Sequence, residues 1–189
     1  MHSDAPATRI LPADAHGMAE AVRALAGGAV VGLPTETVYG LAADATQAQA
    51  VDRVYAAKGR PHFNPLIIHV ADRAMAEAHV LFSDAARALA ERFWPGPLTL
   101  ILPRKAGSSV AAAVSGGQST LAVRCPAHPV MQHVIRALGK PIATPSANAS
   151  GQNFSDDGRT CAQNIAGPHC ADLGWRRVRG GHGIHHHRL

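Results

Sequence analysis

At 189 residues, 47% apolar and 16% charged, the chain is long enough to bury a core and too apolar to be disordered. It has no apolar run of membrane-spanning length, and its start, M-H-S-D-A-P-A-T-R, lacks the basic and apolar regions of a signal peptide, so a cytoplasmic protein is expected. The formal charge of +5 would suggest a polyanion partner, but residues 173–189 carry Arg176, Arg177, Arg179 and Arg188 and no acid, so most of the excess belongs to that tail. Cys125, Cys161 and Cys170 are odd in number and in no metal-ligand spacing, which fits reduced thiols.

In chain order, Ala13 to Ala26 reads as a helix with Met18, Val22 and Leu25 inward, Asp14 as cap and Gly27-Gly28 as stop. Ala29 to Leu33 is a short apolar strand ended by Pro34, and T-E-T-V-Y-G-L follows as an exposed loop. Thr46 is the expected cap of a second helix whose buried stripe is Val51, Val54 and Tyr55. That helix delivers Lys58, where Gly59 suits a left-handed C-terminal turn and Pro61 prevents resumption. Leu66 to Val70 is the next strand, followed by helical patterns from Asp72 to Leu81 and from Asp84 to Phe93, the second capped by Ser83.

Trp94-Pro95-Gly96-Pro97 breaks that pattern, and Leu98 to Leu102 reads as a fully buried strand. Residues 105–117, rich in Ala, Gly and Ser, give no clear assignment. Thr120 to Arg124 is a strand, His128 to Leu138 a helix stopped by Gly139, and Pro141 to Thr144 a strand entering the turn-rich P-S-A-N-A-S-G. Strands alternating with helices predict a single α/β domain, a twisted sheet, mostly parallel or mixed, with helices on its faces.

In such sheets chemistry collects where strand ends open into loops. Four exits carry polar residues: Thr35 to Tyr39, Lys58 to Asn64, Arg124, and Thr144 to Asn148. Lys58 and Arg60, one residue apart and fixed by Gly and Pro, make a compact anion site; equally, cations commonly close a helix against its negative end. Thr35 and Thr37 suit a small polar ligand or a self-satisfied turn. His69 lies in an apolar strand, where a satisfied core histidine is the plain alternative to a ligand contact. Arg124 is either a surface residue or a bidentate partner for a carboxylate. Ser146 and Asn148 fit turn chemistry as well as ligand binding. There is no P-loop, nucleophile elbow, zinc-protease motif, dinucleotide fingerprint or RNA-binding aromatic motif, and aromatics are only 4%.

The blocks L-P-T-E-T-V-Y-G-L, K-G-R-P-H-F-N-P-L-I-I-H, F-W-P-G-P-L-T-L, L-A-V-R-C-P-A-H-P and P-S-A-N-A-S-G, in this order from about Ala29 to Gly151, resemble the YrdC-like threonylcarbamoyl-AMP synthases. The resemblance implies a YrdC-like domain over residues 10–172 with a concave, cationic cavity. It implies formation of threonylcarbamoyl-AMP and pyrophosphate from L-threonine, bicarbonate or CO2, and ATP with Mg2+. The product would serve modification of adenosine 37 in tRNA, reached indirectly through a threonylcarbamoyl-transfer complex. By this resemblance Lys58 and Arg60 are the catalytic cations and bind ATP with Asn64, Thr120, Ser146 and Asn148. Thr37, His69, Arg124 and Thr144 would hold threonine, Arg124 taking its carboxylate. No resident metal ligands are implied. The rival from another class is a non-catalytic RNA-binding module of the same fold, which would need no K-x-R and S-x-N pairing.

The family's usual terminal strand, roughly D-G-G-x-x-x-G-x-E-S-T-I-I-D, is replaced by G-W-R-R-V-R-G-G-H-G-I-H-H-H-R-L. A run of His codons read one nucleotide later gives only Ile or Thr. The reading frame is therefore expected to slip between about Asp157 and Gly180, leaving residues 173–189 as an atypical tail, with loss of a strand and a threonine contact and with weak or absent activity.

Overall fold

The computed structural model describes residues 9–146 and the strand 170–174. Among the described residues eight strands form one sheet. These are β1 (Arg9–Pro12), β2 (Val30–Leu33), β3 (Gly40–Asp44), β4 (Ile67–His69), β5 (Thr99–Pro103), β6 (Thr120–Arg124), β7 (Ile142–Thr144) and β8 (Cys170–Gly174). The helices are α1 (Ala15–Ala26), α2 (Ala48–Lys58), α3 (Arg73–Glu77), α4 (Asp84–Phe93) and α5 (Pro129–Leu138), with a 3-10 turn at Ala112–Ser115. The strand order is β1-β8-β2-β3-β7-β4-β6-β5. The sheet is mixed: β8 runs parallel to β1 and β2, and β4 parallel to β6, while β2–β3, β3–β7, β4–β7 and β5–β6 are antiparallel.

Local chemistry sets the helix boundaries. Asp14 and Ser83 accept from the backbone N–H groups of Gly17 and Ala86, satisfying donors that a helix start leaves orphaned. α2 ends in a Schellman turn: Gly59 is left-handed at φ 55°, its N–H reaches Ala56, and Arg60 N–H reaches Tyr55 O at 3.0 Å. Thr46 is not the cap of α2, contrary to expectation. Helix α2 begins after Gln47, and the fully buried Asp44 carboxylate accepts from Thr46 N, Thr46 Oγ1, Gln47 Nε2 and Lys140 Nζ. A buried acid is retained because every side of it meets a donor.

Strands β1, β3 and β8 lie outside the sequence-based expectation, β3 because G-L-A-A-D lacks the branched and aromatic residues that mark strands. β5 is a correction of another kind. Its apolar run suggested full burial, but it is a sheet edge, its residues alternate, and Ile101 is 71% exposed.

Two cores sandwich the sheet. On one face α2 and α4 pack Val51, Val54, Tyr55 and Ala90 against Ile68 and Val123. On the other, α1 and α5 bring Leu25, Met131 and Ile135 onto Val31, Leu33 and Ile142. The second cover is partial. Over β4, β6 and β5 the same face carries Ile67 and Ala122, half-buried, and the exposed Ile101. An open strip of sheet is left there among the described residues.

Candidate active site

Register decides which side chains share this strip. His69, Arg124 and Thr99 are aligned across β4, β6 and β5, and Ile67, Ala122, Ile101 and Thr144 form the next row along the strands. Side chains two residues apart point to one face. Thr120, Arg124, His69 and Thr144 therefore all point to the same face as the strip, the last three of them buried. Thr120 and Arg124 stand at opposite ends of β6, roughly 13 Å apart at the usual rise per residue.

At one end the junction from α2 to β4 presents Lys58, Arg60 and Asn64. Arg60 donates to Asn64 Oδ1 at 2.7 Å, Asn64 O at 3.2 Å and Pro65 O at 3.0 Å. All three acceptors are neutral, so the guanidinium keeps its full positive charge. Tyr55 Oη ties the same loop to the 3-10 turn by donating to Asn64 O and Ala113 O, and its ring stacks on His62. Lys58 is the last residue of α2, with its Nζ shielded from solvent. Thr120 opens β6 beside this end, and Thr120 Oγ1 donates to Gln118 Oε1 at 3.5 Å. β7 runs antiparallel to β4, so beyond Thr144 the chain heads to the same end; Ser146, exposed, bridges to Gly40 there.

Thr144 fills the middle. It is buried, and a Cβ on Gly40 would lie 2.3 Å from its Oγ1, so only glycine lets β3 pass there without displacing Thr144. Asn148 and residues 175–189, the greater part of the atypical tail, lie outside the described residues.

The other end is built around Arg124, 8% exposed. Its Nε donates to Gly96 O at 3.3 Å, and its Nη2 donates to Thr37 Oγ1 at 3.3 Å and pairs with Glu36 Oε1 at 2.8 Å. Thr37 is held by a compact turn in which Thr35 Oγ1 donates to Val38 O and accepts from Thr37 N and Val38 N. Thr35 thus satisfies its own backbone, as the turn reading expects, while Thr37 reaches across to β6. Burial alone would raise the Glu36 carboxyl, but the Arg124 hydrogen bond, backbone donors and the Arg124 charge outweigh it and keep it below the usual carboxylate range. His69, beside Arg124 on β4, is driven down to about 4 by burial and then by the Arg124 charge, so it is neutral at pH 7. Its Nδ1 is buried and makes no hydrogen bond among the described residues.

Glu36 is the site residue that sequence reasoning passed over. It is the lone acid in L-P-T-E-T-V-Y-G-L, a signal that could have prompted a search for a basic partner.

A family model for Sua5, YciO and YrdC proteins, described as "Telomere recombination", matches residues 23–170. The chain belongs to this family. It is 45% identical over 141 residues to the threonylcarbamoyl-AMP synthase of Pyrococcus abyssi, covering 74% of this chain and 41% of that protein. A Vibrio vulnificus protein of the same name is 40% identical over 136 residues, covering 70% and 72% of the two chains. The chain thus spans about two fifths of the Pyrococcus relative and nearly three quarters of the Vibrio one. The solved structure of P. abyssi Sua5 complexed with L-threonine superposes with a TM-score of 0.80 at 39% identity, covering 89% of this chain and 49% of that one. E. coli YciO, at 20% identity and a TM-score of 0.76, shares the fold. Among the described residues of this Sua5/YciO/YrdC chain, no helix is long and apolar enough to cross a membrane.

Proposed function

We propose that the chain catalyses formation of threonylcarbamoyl-AMP from L-threonine, bicarbonate and ATP. One observation carries the reading: among the described residues one strip of sheet has at one end a cationic junction whose Arg60 is held by neutral acceptors, and at the other a buried arginine beside a threonine hydroxyl. Relatives named threonylcarbamoyl-AMP synthase, at 40–45% identity, supply the reaction.

The chemistry suits this layout. The threonine amine adds to bicarbonate with loss of water, giving a carbamate. A carbamate oxygen then attacks the α-phosphorus of ATP, the bond to the β-phosphate oxygen breaks, and pyrophosphate leaves. Negative charge grows on the α-phosphoryl oxygens and the leaving group, and stabilising it is the role assigned to Lys58 and Arg60. Asn64, Thr120, Ser146 and Asn148 complete the nucleotide side. Arg124 and Thr37 orient threonine, and neutral His69 offers a hydrogen bond to its hydroxyl, Thr144 lying between the two halves. No nucleophile is required of the protein, so rate comes from positioning. The Lys58–Asn64 junction and Thr120 supply no carboxylate, so Mg2+ arriving with ATP would take its ligands from phosphate oxygens and water. The adenylate would then be passed to a transfer complex acting on tRNA.

The test is pyrophosphate release by the purified protein. Release should require threonine and bicarbonate together; release indifferent to threonine, or salt-sensitive RNA binding without turnover, would sink the reading.

A further inference from the structure

The geometry points to Glu36 as the residue that recognises the α-ammonium group of the amino-acid substrate, making Glu36 and Arg124 a two-headed clamp for a zwitterion. This rests on the threonine reading above and adds a specificity determinant to it.

The hydrogen bonds of Arg124 among the described residues use Nε and Nη2. The Nη1 edge is thus available to a carboxylate while Glu36 stays on Nη2. A donor edge and an ionised acceptor then flank one guanidinium, a spacing that the carboxylate and ammonium of an α-amino acid can bridge. The side-chain burial is unequal, 10% exposed for Arg124 and 23% for Glu36, so the acid faces the opening and the base lies behind it.

Charge explains why the acid belongs there. A nearly buried arginine alone attracts any anion, including the phosphates bound a strand's length away. Paired with Glu36 its net charge is close to zero, and an incoming phosphate meets a carboxylate as well as a guanidinium. A zwitterion, itself neutral, matches both halves, whereas a carboxylic acid lacking the amine leaves Glu36 without its new partner. Discrimination of this kind comes from what the wrong ligand leaves unpaired. Threonine binding also asks nothing of the Arg124–Glu36 contact except that it persist.

The test measures binding of L-threonine and of 3-hydroxybutanoate, which is threonine without its amine, by calorimetry on wild type, Glu36→Gln and Glu36→Asp. Wild type should prefer threonine by about tenfold or more, the scale of a charged hydrogen bond. Glu36→Gln should weaken threonine by a similar factor while leaving 3-hydroxybutanoate unchanged or tighter, and Glu36→Asp should restore part of the preference. If Glu36→Gln binds threonine as well as or better than wild type, the clamp is overturned and Glu36 is a placeholder that the substrate carboxylate displaces. Should Glu36→Gln fail to fold, the wild-type comparison alone decides, and equal binding of the two ligands overturns the clamp. A wild type that binds neither ligand overturns the threonine reading and the clamp together, and its own isotherm distinguishes that failure from the loss of the clamp alone.

Discussion

Arg60 and Arg124 sit at opposite ends of one open strip, and their surroundings differ in kind. Arg60 is half-exposed and held by one amide and two backbone oxygens, which fix its direction and leave its charge whole. Arg124 is buried, shares a 2.8 Å contact with Glu36 and stands beside a histidine kept neutral. A full charge near solvent suits an anion that accumulates charge during reaction; a neutralised pair in a drier setting suits a small ligand selected for shape and for both signs of charge. The same residue type thus acquires two functions from what accepts its hydrogen bonds.

The sharpest way to break this contrast is Arg124→Leu, which strands Glu36 in a partly buried site. It should cost about 2–5 kcal/mol in threonine affinity, read by calorimetry, while ATP binding changes far less. At the other end, Lys58→Ala and Arg60→Ala should each slow pyrophosphate release roughly 10²–10³-fold, or about 2.7–4 kcal/mol. Arg60→Ala also loses three hydrogen bonds that secure the loop and should cost about 1–2 kcal/mol in unfolding. An unchanged unfolding midpoint in Arg60→Ala would mean that the hydrogen bonds of Arg60 contribute nothing to holding the junction.

The neutral state of His69 can be tested through pH. Its folded pKa of about 4 lies below the usual value of 6.5, so between these values the unfolded chain holds a proton that the folded chain refuses. Stability should therefore fall as pH drops from about 7 to about 4, by up to about 3 kcal/mol from this group. His79 and His128, also lowered chiefly by burial, act in the same direction. His69→Gln should remove its share of the slope in urea-unfolding midpoints; an unchanged slope would place the acid sensitivity elsewhere. The smallest expected effect is a control remote from both ends. Ser83→Ala removes the α4 cap at about 1 kcal/mol and should leave turnover per folded molecule intact.

What the sequence revealed was governed by short-range chemistry. The caps at Asp14 and Ser83, the left-handed stops at Gly59 and Gly139, and the whole of β6 are each decided by a few adjacent residues. Strand β3 was hidden because its small residues are chosen for close approach, as at Gly40 against Thr144, and carry no strand signal of their own. Ile101 misled because an apolar run looks the same at a sheet edge as in its centre. Candidate residues such as Arg60 and Arg124 could be singled out, but not their acceptors. The Arg124–Glu36 contact joins positions far apart in the chain and depends on the loop between β2 and β3 reaching the end of β6, which no local pattern records.

The position of β8 has a consequence in time. It lies between β1 and β2, and among the described residues β1 pairs only with β8, Arg9 aligning with Ala171. Among the described strands the earliest in the chain therefore has no edge to join until β8 has been made. Closing so long a loop is costly before its contacts form, so β1 and β8 should dock together, late, onto a sheet already assembled from β2 to β7. Pulse-labelled amide exchange during refolding would show it as protection arriving last at Arg9–Pro12 and Cys170–Gly174.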